Sequence, residues 1–475
     1  MTPQPNRRRF LAASAGVAAS AGIIATQSIP PAQGQTQVAS NHSKAGNLRI
    51  SSFRFDITPP KGHSLCGGWI KPVIDVDDPL EAIGYVLLGS GKPIVICAMD
   101  WTGLLNSAHL RWRQRLAEAA DTTPDRVAVQ CVHQHNAPFA CLDAQAIVDA
   151  QGDLPDIIDP DFFDRCLVSG YETVKKSIKR SSQVTHIAHG EAPVRQVAGN
   201  RRIIGLDGKV LSQRGSSSTK PEHHQYPEGL IDPMLKTVTF YNEDQPLVAS
   251  HYYACHPMSY YGDGRVSADF CGLARRQRQT QTSGCTQIYF NGCGGNIGAG
   301  KYNNGSKEAR TELTQRILKG IIESEASLTR KPVESVRWKT EEILPPLNPV
   351  IDEMALMKEI SNKSNRTVDR NRRAYAVAFI RRIERQIPLI LSSLHVNDVS
   401  ILHLPAECFI EYQLRAQASA GDRFVACAAY GDGGPWYIPT QNAYPQGGYA
   451  VSVAWCAPAI DQILSSRIQS LLNGT

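Results

Sequence analysis

Short apolar runs that stop abruptly at a polar turn marked by glycine or proline recur along this chain, and they constrain its fold more than any bulk property. Arg126-Val127-Ala128-Val129-Gln130-Cys131-Val132 gives way to His133-Gln134-His135-Asn136-Ala137-Pro138. The run suits a buried strand, and Pro138 forces the chain out of the sheet. Four later segments share the pattern. Tyr252-Tyr253-Ala254-Cys255 ends in His256-Pro257, and Tyr289-Phe290-Asn291 runs into the glycine-rich stretch Gly292–Gly300. Leu402-His403-Leu404 ends in Pro405-Ala406-Glu407, and Tyr430–Thr440 carries Tyr437 within Gly- and Pro-rich sequence, followed by Gly447-Gly448-Tyr449. In α/β sheets ligands bind at the carboxyl ends of strands, so the polar residues at these breaks are the candidate site.

Between the breaks, the periodicity predicts alternating strands and helices. Expected strands are Ala82–Leu88, Pro93–Met99, Arg126–Val132, Val184–His189, Leu235–Phe240, Leu247–Tyr253, Gln287–Asn291, Val399–Leu404 and Arg423–Ala428. Expected helices are Ser107–Ala119, Asp161–Lys179, Ala268–Gln281, Ser306–Ser327, Val368–Arg385, Ile410–Ala418 and Ala457–Leu472. The expected fold class is α/β, with mixed β-sheets flanked by helices in a single large catalytic domain. No internal repeat is visible. Residues Ala192–Pro233, with Arg201, Arg202, Arg214, His223 and His224, lack periodicity and read as a long functional loop or lid.

A chain of 475 residues that is 42% hydrophobic and 20% charged has ample material for a core. Its net charge of +6 is not arranged as a Lys/Arg stripe interleaved with aromatics, so a nucleic-acid partner is not expected. Asn6-Arg7-Arg8-Arg9-Phe10-Leu11 followed by the mildly apolar Ala12–Ala25 resembles a twin-arginine export signal. That stretch is too short and too rich in Ala, Gly and Ser for a transmembrane anchor. The expected layout is a signal over residues 1–35, a linker over 36–46 and a hydrolase domain over 47–475, exported to the periplasm or secreted. The twelve cysteines form no Cys-x-x-Cys pair and several sit in apolar runs, so they read as buried thiols, with a disulfide or two open after export.

Two imidazoles one residue apart on an extended backbone point the same way. Such a pair can bind a metal jointly, or one can bind while the other moves protons. His256, Glu407 and Tyr437 each also have a bland reading: a loop hydrogen bond, a helix-terminal carboxylate, a core phenol. Their order is what points to chemistry. His-x-His-x-x-Pro, then Asn200-Arg201, a strand-terminal His, a Gly-rich turn, Pro-x-Glu, Tyr-x-Pro-Thr and Gly-Gly-Tyr together resemble the neutral (alkaline, non-lysosomal) ceramidase family. The resemblance starts near Phe55-Asp56-Ile57-Thr58-Pro59 and runs through Pro79-Leu80 and Ile96–Asp100 to the C-terminus. It covers the family's catalytic domain, without the C-terminal immunoglobulin-like domain of lipid-cleaving members.

The resemblance implies a zinc ion (Zn2+) held by His133, His256, Glu407 and Tyr437. It places His135 on a non-ligand histidine, Arg201 on an active-site arginine and Tyr449 on a further active-site tyrosine, twelve residues after Tyr437. Two neutral imidazoles, a carboxylate and a phenolate suit zinc and leave a position for water, whose pKa would fall toward ~7. His135 would then handle the proton, and Arg201 or Tyr449 would meet the oxyanion or orient the substrate. The implied activity is hydrolysis of an amide (N-acyl) bond of a small-molecule, lipid or glycan substrate.

Two departures bear on substrate and mechanism. Lipid-cleaving members have Ser where this chain has Asn136, and an active-site serine where Gly295-Asn296-Ile297-Gly298-Ala299 places Gly298. A serine nucleophile at that position is excluded, and a metal-hydroxide mechanism is favoured. A carbohydrate-derived substrate (N-acyl sugar, ester, lactone or glycosidic bond) is the first alternative. A non-catalytic binding protein on the same fold is the second, opposed by the cost of keeping so many convergent polar groups.

Overall fold

Three five-stranded mixed sheets, four strands of each laid down by the same chain path, organise the described residues, which are 43–44 and 47–473 of a computed structural model. The first sheet has the order Val127–Cys131, Ile94–Met99, Glu81–Leu88, Arg49–Asp56, Ser182–Gln183. The second runs Thr286–Asn291, Gln245–Tyr253, Met234–Asn242, His186–Pro193, Thr329–Pro332. The third runs Phe424–Ala428, Val399–His403, Leu389–Val396, Ser335–Ile343, Ser43–Lys44. In each sheet the outermost pair on one side is parallel and every other pair is antiparallel. The parallel partners are joined by one helix apiece, Ser107–Ala120, Asp269–Gln281 or Ile410–Ser419, as a parallel connection requires.

The chain therefore repeats one topology three times, which its sequence did not reveal. Topology can repeat without sequence likeness because burial and strand direction, not residue identity, specify it. The three parallel outer strands meet at the centre. Gln130 Nε2, buried in the first of them, donates to the carbonyls of Leu404 (3.0 Å), Ala428 (2.8 Å) and Ala429 (3.0 Å) of the third unit. Asn291 Nδ2, from the second, donates to Val132 O at 3.2 Å. Gln130→Leu, which keeps the volume but removes the donor, is expected to cost about 1–3 kcal/mol. The check is a urea midpoint that falls with the slope unchanged.

Every expected strand and helix is present within a few residues. Three helices start at side-chain caps: Asp159 accepts from the amides of Asp161 and Phe162, Ser306 from that of Ala309 and Asp352 from that of Ala355. The strands Arg49–Asp56, Ser335–Ile343 and Leu389–Val396 and the helices Leu142–Asp149 and Glu353–Ser361 were not read from the sequence. Ser335–Ile343 explains why: only Val336 and Ile343 are buried, and charged residues fill most positions between them. Such a half-solvated strand carries a weak apolar signal.

Two other expectations change. Part of the expected linker, Ser43–Lys44, pairs with Ser335 and Val336 as an edge strand. Residues 192–233 are packed rather than lid-like. They hold the hairpin Arg202–Ile204/Val210–Gln213 and the helix Pro221–Gln225, and fully buried Arg214 donates to the carbonyls of Asn200, Tyr226 and Pro227. All twelve cysteines are buried with free thiols. Among the described residues no helix is long and apolar enough to cross a membrane. The expected signal over 1–35 lies outside the described residues.

Candidate active site

His133, His256, Glu407 and Tyr430 lie two to four residues beyond the ends of parallel strands of the three units, so the three-unit arrangement brings them to one point. His133 does not continue its strand, which ends at Cys131. Its φ is +79°, where the sequence reading assumed an extended backbone. The turn is held by Thr102, whose carbonyl accepts from His133 Nδ1 at 2.6 Å and whose hydroxyl donates to Gln134 O at 2.6 Å. Gln134 points away into the interior and donates to Asp100 at 2.9 Å, and Asp100 is paired with buried Arg275 at 3.0 Å. His133 and His135 still converge, with ring centroids 4.7 Å apart.

Ala406, Tyr430 and Trp436 are further non-glycine residues in this shell with φ between 53° and 66°. Each such residue costs on the order of 1–3 kcal/mol, and their clustering marks a surface shaped for something other than stability.

His256 Nδ1 donates to Gly294 O at 2.8 Å, as His133 Nδ1 does to Thr102 O. A carbonyl only accepts, so each Nδ1 carries a proton, and in the neutral form of either ring Nε2 is bare. Those two nitrogens lie 3.1 Å apart. Glu407 Oε2 completes the triangle, 3.4 Å from His133 Nε2 and 3.2 Å from His256 Nε2, and has no hydrogen-bond donor. Burial, and then the nearby Arg201, hold His256 down to about 4, so proton uptake does not relieve the contact at neutral pH. Three lone-pair donors converging in a buried space repel one another unless a cation lies between them. Tetrahedral zinc with bonds of 2.0–2.1 Å needs donor separations of about 3.3 Å.

Glu407 and Tyr437 are partners in a short parallel ladder, which places them side by side. The Tyr437 ring lies parallel to that of His256 at 6.4 Å, and its hydroxyl oxygen accepts from Arg201 Nη1 at 3.2 Å. Burial pushes the Tyr437 phenol well above its ordinary range, with Arg201 opposing. Arg201 is itself buried, and its Nε has no partner. Tyr449 stands at the rim, 37% exposed, edge-on to Tyr437 at 5.8 Å and below the Arg201 guanidinium at 5.9 Å.

His135 joins the cluster: donor nitrogens of His133, His135 and His256 all lie within 4.8 Å of one another. Its Nδ1 is buried without a partner, and burial followed by the neighbouring imidazoles pushes its pKa well down. A neutral imidazole with an uncommitted nitrogen can accept a proton. All seven residues singled out in the sequence thus meet in one site.

Tyr430 was not singled out, yet its ring stacks on His133 at 4.3 Å and its hydroxyl lies 3.4 Å from His256 Nδ1. The signal available was its position, two residues past a strand like His133. The glycine-rich turn is bonded into the protein: Gly292 N bonds Tyr253 O, Cys293 N bonds Gln413 Oε1 and Gly295 N bonds Cys408 O. Gly295 is needed for close approach, because a Cβ there would lie 2.3 Å from Glu407 O. The turn is a brace that also receives Arg201 N on Asn296 O and His256 N on Ile297 O. Gly298 lies against the Arg201 side chain, and Asn136 is buried with its Oδ1 accepting from Gly262 N.

The fold has known counterparts. The crystal structure of neutral ceramidase from Pseudomonas aeruginosa superposes with a TM-score of 0.66 over 90% of this chain and 74% of that one, at 15% identity. The chain has the neutral ceramidase fold. A ceramidase complexed with C2 matches with a TM-score of 0.64 over 90% of this chain and 75% of its own, at 14% identity. No protein-family model and no curated protein matches the chain. The mixed sheets and flanking helices expected from the neutral ceramidase resemblance are therefore present.

Proposed function

We propose that this chain is an exported zinc-dependent hydrolase that cleaves an amide (N-acyl) bond. The observation that carries the reading is the triangle of His133 Nε2, His256 Nε2 and Glu407 Oε2, with sides of 3.1, 3.2 and 3.4 Å. Tyr437 is the fourth residue that would hold the ion, beside Glu407 in the ladder. Bound zinc supplies Lewis acidity, making water more acidic and a carbonyl more electrophilic.

The remaining residues divide the other work. His135 takes the proton of the attacking water and returns it to the amine nitrogen as the C–N bond breaks, so that acid and amine leave. Arg201 places a buried positive charge where the carbonyl oxygen gains negative charge, and Tyr449 orients the substrate at the rim. Export rests on the arginine-rich leader at Asn6–Leu11. Purified protein is expected to retain about one zinc per chain. A chelator should abolish amide hydrolysis and lower the melting temperature, since an ion at 1,000 times its Kd contributes about 4 kcal/mol. Restoring zinc should recover both. A protein that takes up no metal, and whose melting and activity ignore the chelator, would overturn the reading.

A further inference from the structure

Arg372 is a second guanidinium near the site, stacked on Trp69 and met by no hydrogen-bond acceptor among the described residues. It lies in the helix Thr367–Glu384, half-buried, with its guanidinium 4.8 Å from the centre of the Trp69 ring. Its Nε is shielded from solvent and has no hydrogen-bond partner, and no carboxylate among the described residues lies within ion-pair distance. The nearest acid on its own helix, Asp369, is taken by Arg366 in two hydrogen bonds of 2.8 and 3.2 Å. Shielding the Nε–H without an acceptor costs free energy that stacking on an indole only partly offsets.

The surroundings connect this side chain to the candidate site. Trp69 packs on Trp436 at 5.2 Å, and Trp436 lines the small cavity that touches His133 and Glu407. Burial raises the phenol of Tyr261 and the Arg372 charge opposes it, which puts Arg372 within electrostatic reach of the rim. Tyr261 is 46% exposed and meets the His135 ring edge-on at 5.7 Å. The mouth thus presents exposed aromatic faces beside an unpaired planar cation. A guanidinium fork pairs with a carboxylate through parallel hydrogen bonds.

We propose that Arg372 binds a carboxylate of the substrate, so that the enzyme acts on acidic N-acyl compounds rather than on neutral amides. The proposal rests on the hydrolase reading for the word substrate, but its binding step does not. The carboxylate belongs to an amino-acid or to a sugar-acid moiety, and the aromatic rim receives the uncharged part next to it.

The test measures binding to the zinc-loaded full-length protein by tryptophan fluorescence and calorimetry, apart from turnover. The probes are N-octanoylphenylalanine against its carboxamide, and N-acetylneuraminic acid against its methyl ester. Wild-type protein is expected to prefer the free acid in at least one pair by about ten- to a hundredfold, as for a hydrogen-bonded charge pair. Arg372→Gln should erase that preference, and Arg372→Lys should keep part of it. Zinc content equal to wild type confirms that the variants are folded. No acid preference in either pair, or a preference that survives Arg372→Gln, overturns the proposal. Acid preference without hydrolysis of any amide would sink the hydrolase reading and leave the carboxylate site standing.

Discussion

Glu407→Gln is expected to lower amide hydrolysis by at least about a thousandfold, through loss of the metal. In the metal-free protein the same change should leave the melting temperature at or above that of the wild type. The opposite signs come from one piece of geometry. Glu407 Oε2 faces the bare Nε2 atoms of two imidazoles at 3.2 and 3.4 Å, and only a cation makes all three contacts favourable. A glutamine amide donates hydrogen bonds where the carboxylate only accepts, so it can satisfy the lone pairs that repel in the empty site. It also removes a buried negative charge, because Glu407 is only 6% exposed. Melting curves of both proteins with and without chelator, alongside zinc analysis, decide the matter. A metal-free variant far less stable than the metal-free wild type would mean the carboxylate is a structural hydrogen-bond partner and the triangle no metal site.

Arg201→Gln is expected to reduce turnover by about 10²–10³-fold while the zinc content stays at the wild-type level. Arg201 is buried, its Nη1 donates to the Tyr437 hydroxyl at 3.2 Å and its Nε is unpartnered. It thus holds a charge beside the proposed metal residues without being one of them. Its backbone N–H, bonded to Asn296 O at 2.7 Å, keeps the strand in place whatever the side chain. Arg201→Lys, which restores charge without the planar fork, should recover part of the activity. A loss of activity that tracks loss of zinc would instead assign Arg201 to holding Tyr437.

Legibility from the sequence followed the strength of the local signal. The central strands were readable because both faces are buried and their sequences are continuous apolar runs, as in Ile94–Met99. Arg49–Asp56 was not read, because its apolar residues alternate with Arg and Ser over a single solvated face. In the site, residues at the abrupt ends of apolar runs were found, and His133, His256 and Glu407 are such residues. Tyr430 was passed over since its part is a stacking contact with His133, which only three dimensions reveal. Arg372 was passed over for a similar reason. It sits inside a regular helix where a charge looks like ordinary solvated surface, and Trp69, far away in the chain, is what gives it a place.

Composition and periodicity by themselves determined that the chain is an α/β protein with its polar residues at strand ends, because burial imposes period and turn chemistry imposes stops. The order of those stops determined the resemblance and the residues to watch. The tertiary structure alone decided how they meet. Three units of equal topology put their parallel strands together at one centre, and each contributes a strand end to the same few ångströms. It also decided orientation: Thr102 and Gly294 carbonyls hold the two Nδ1 atoms, so two Nε2 nitrogens and one carboxylate oxygen face one another. No local pattern encodes that, since the groups come from residues more than a hundred positions apart and repel until a cation joins them.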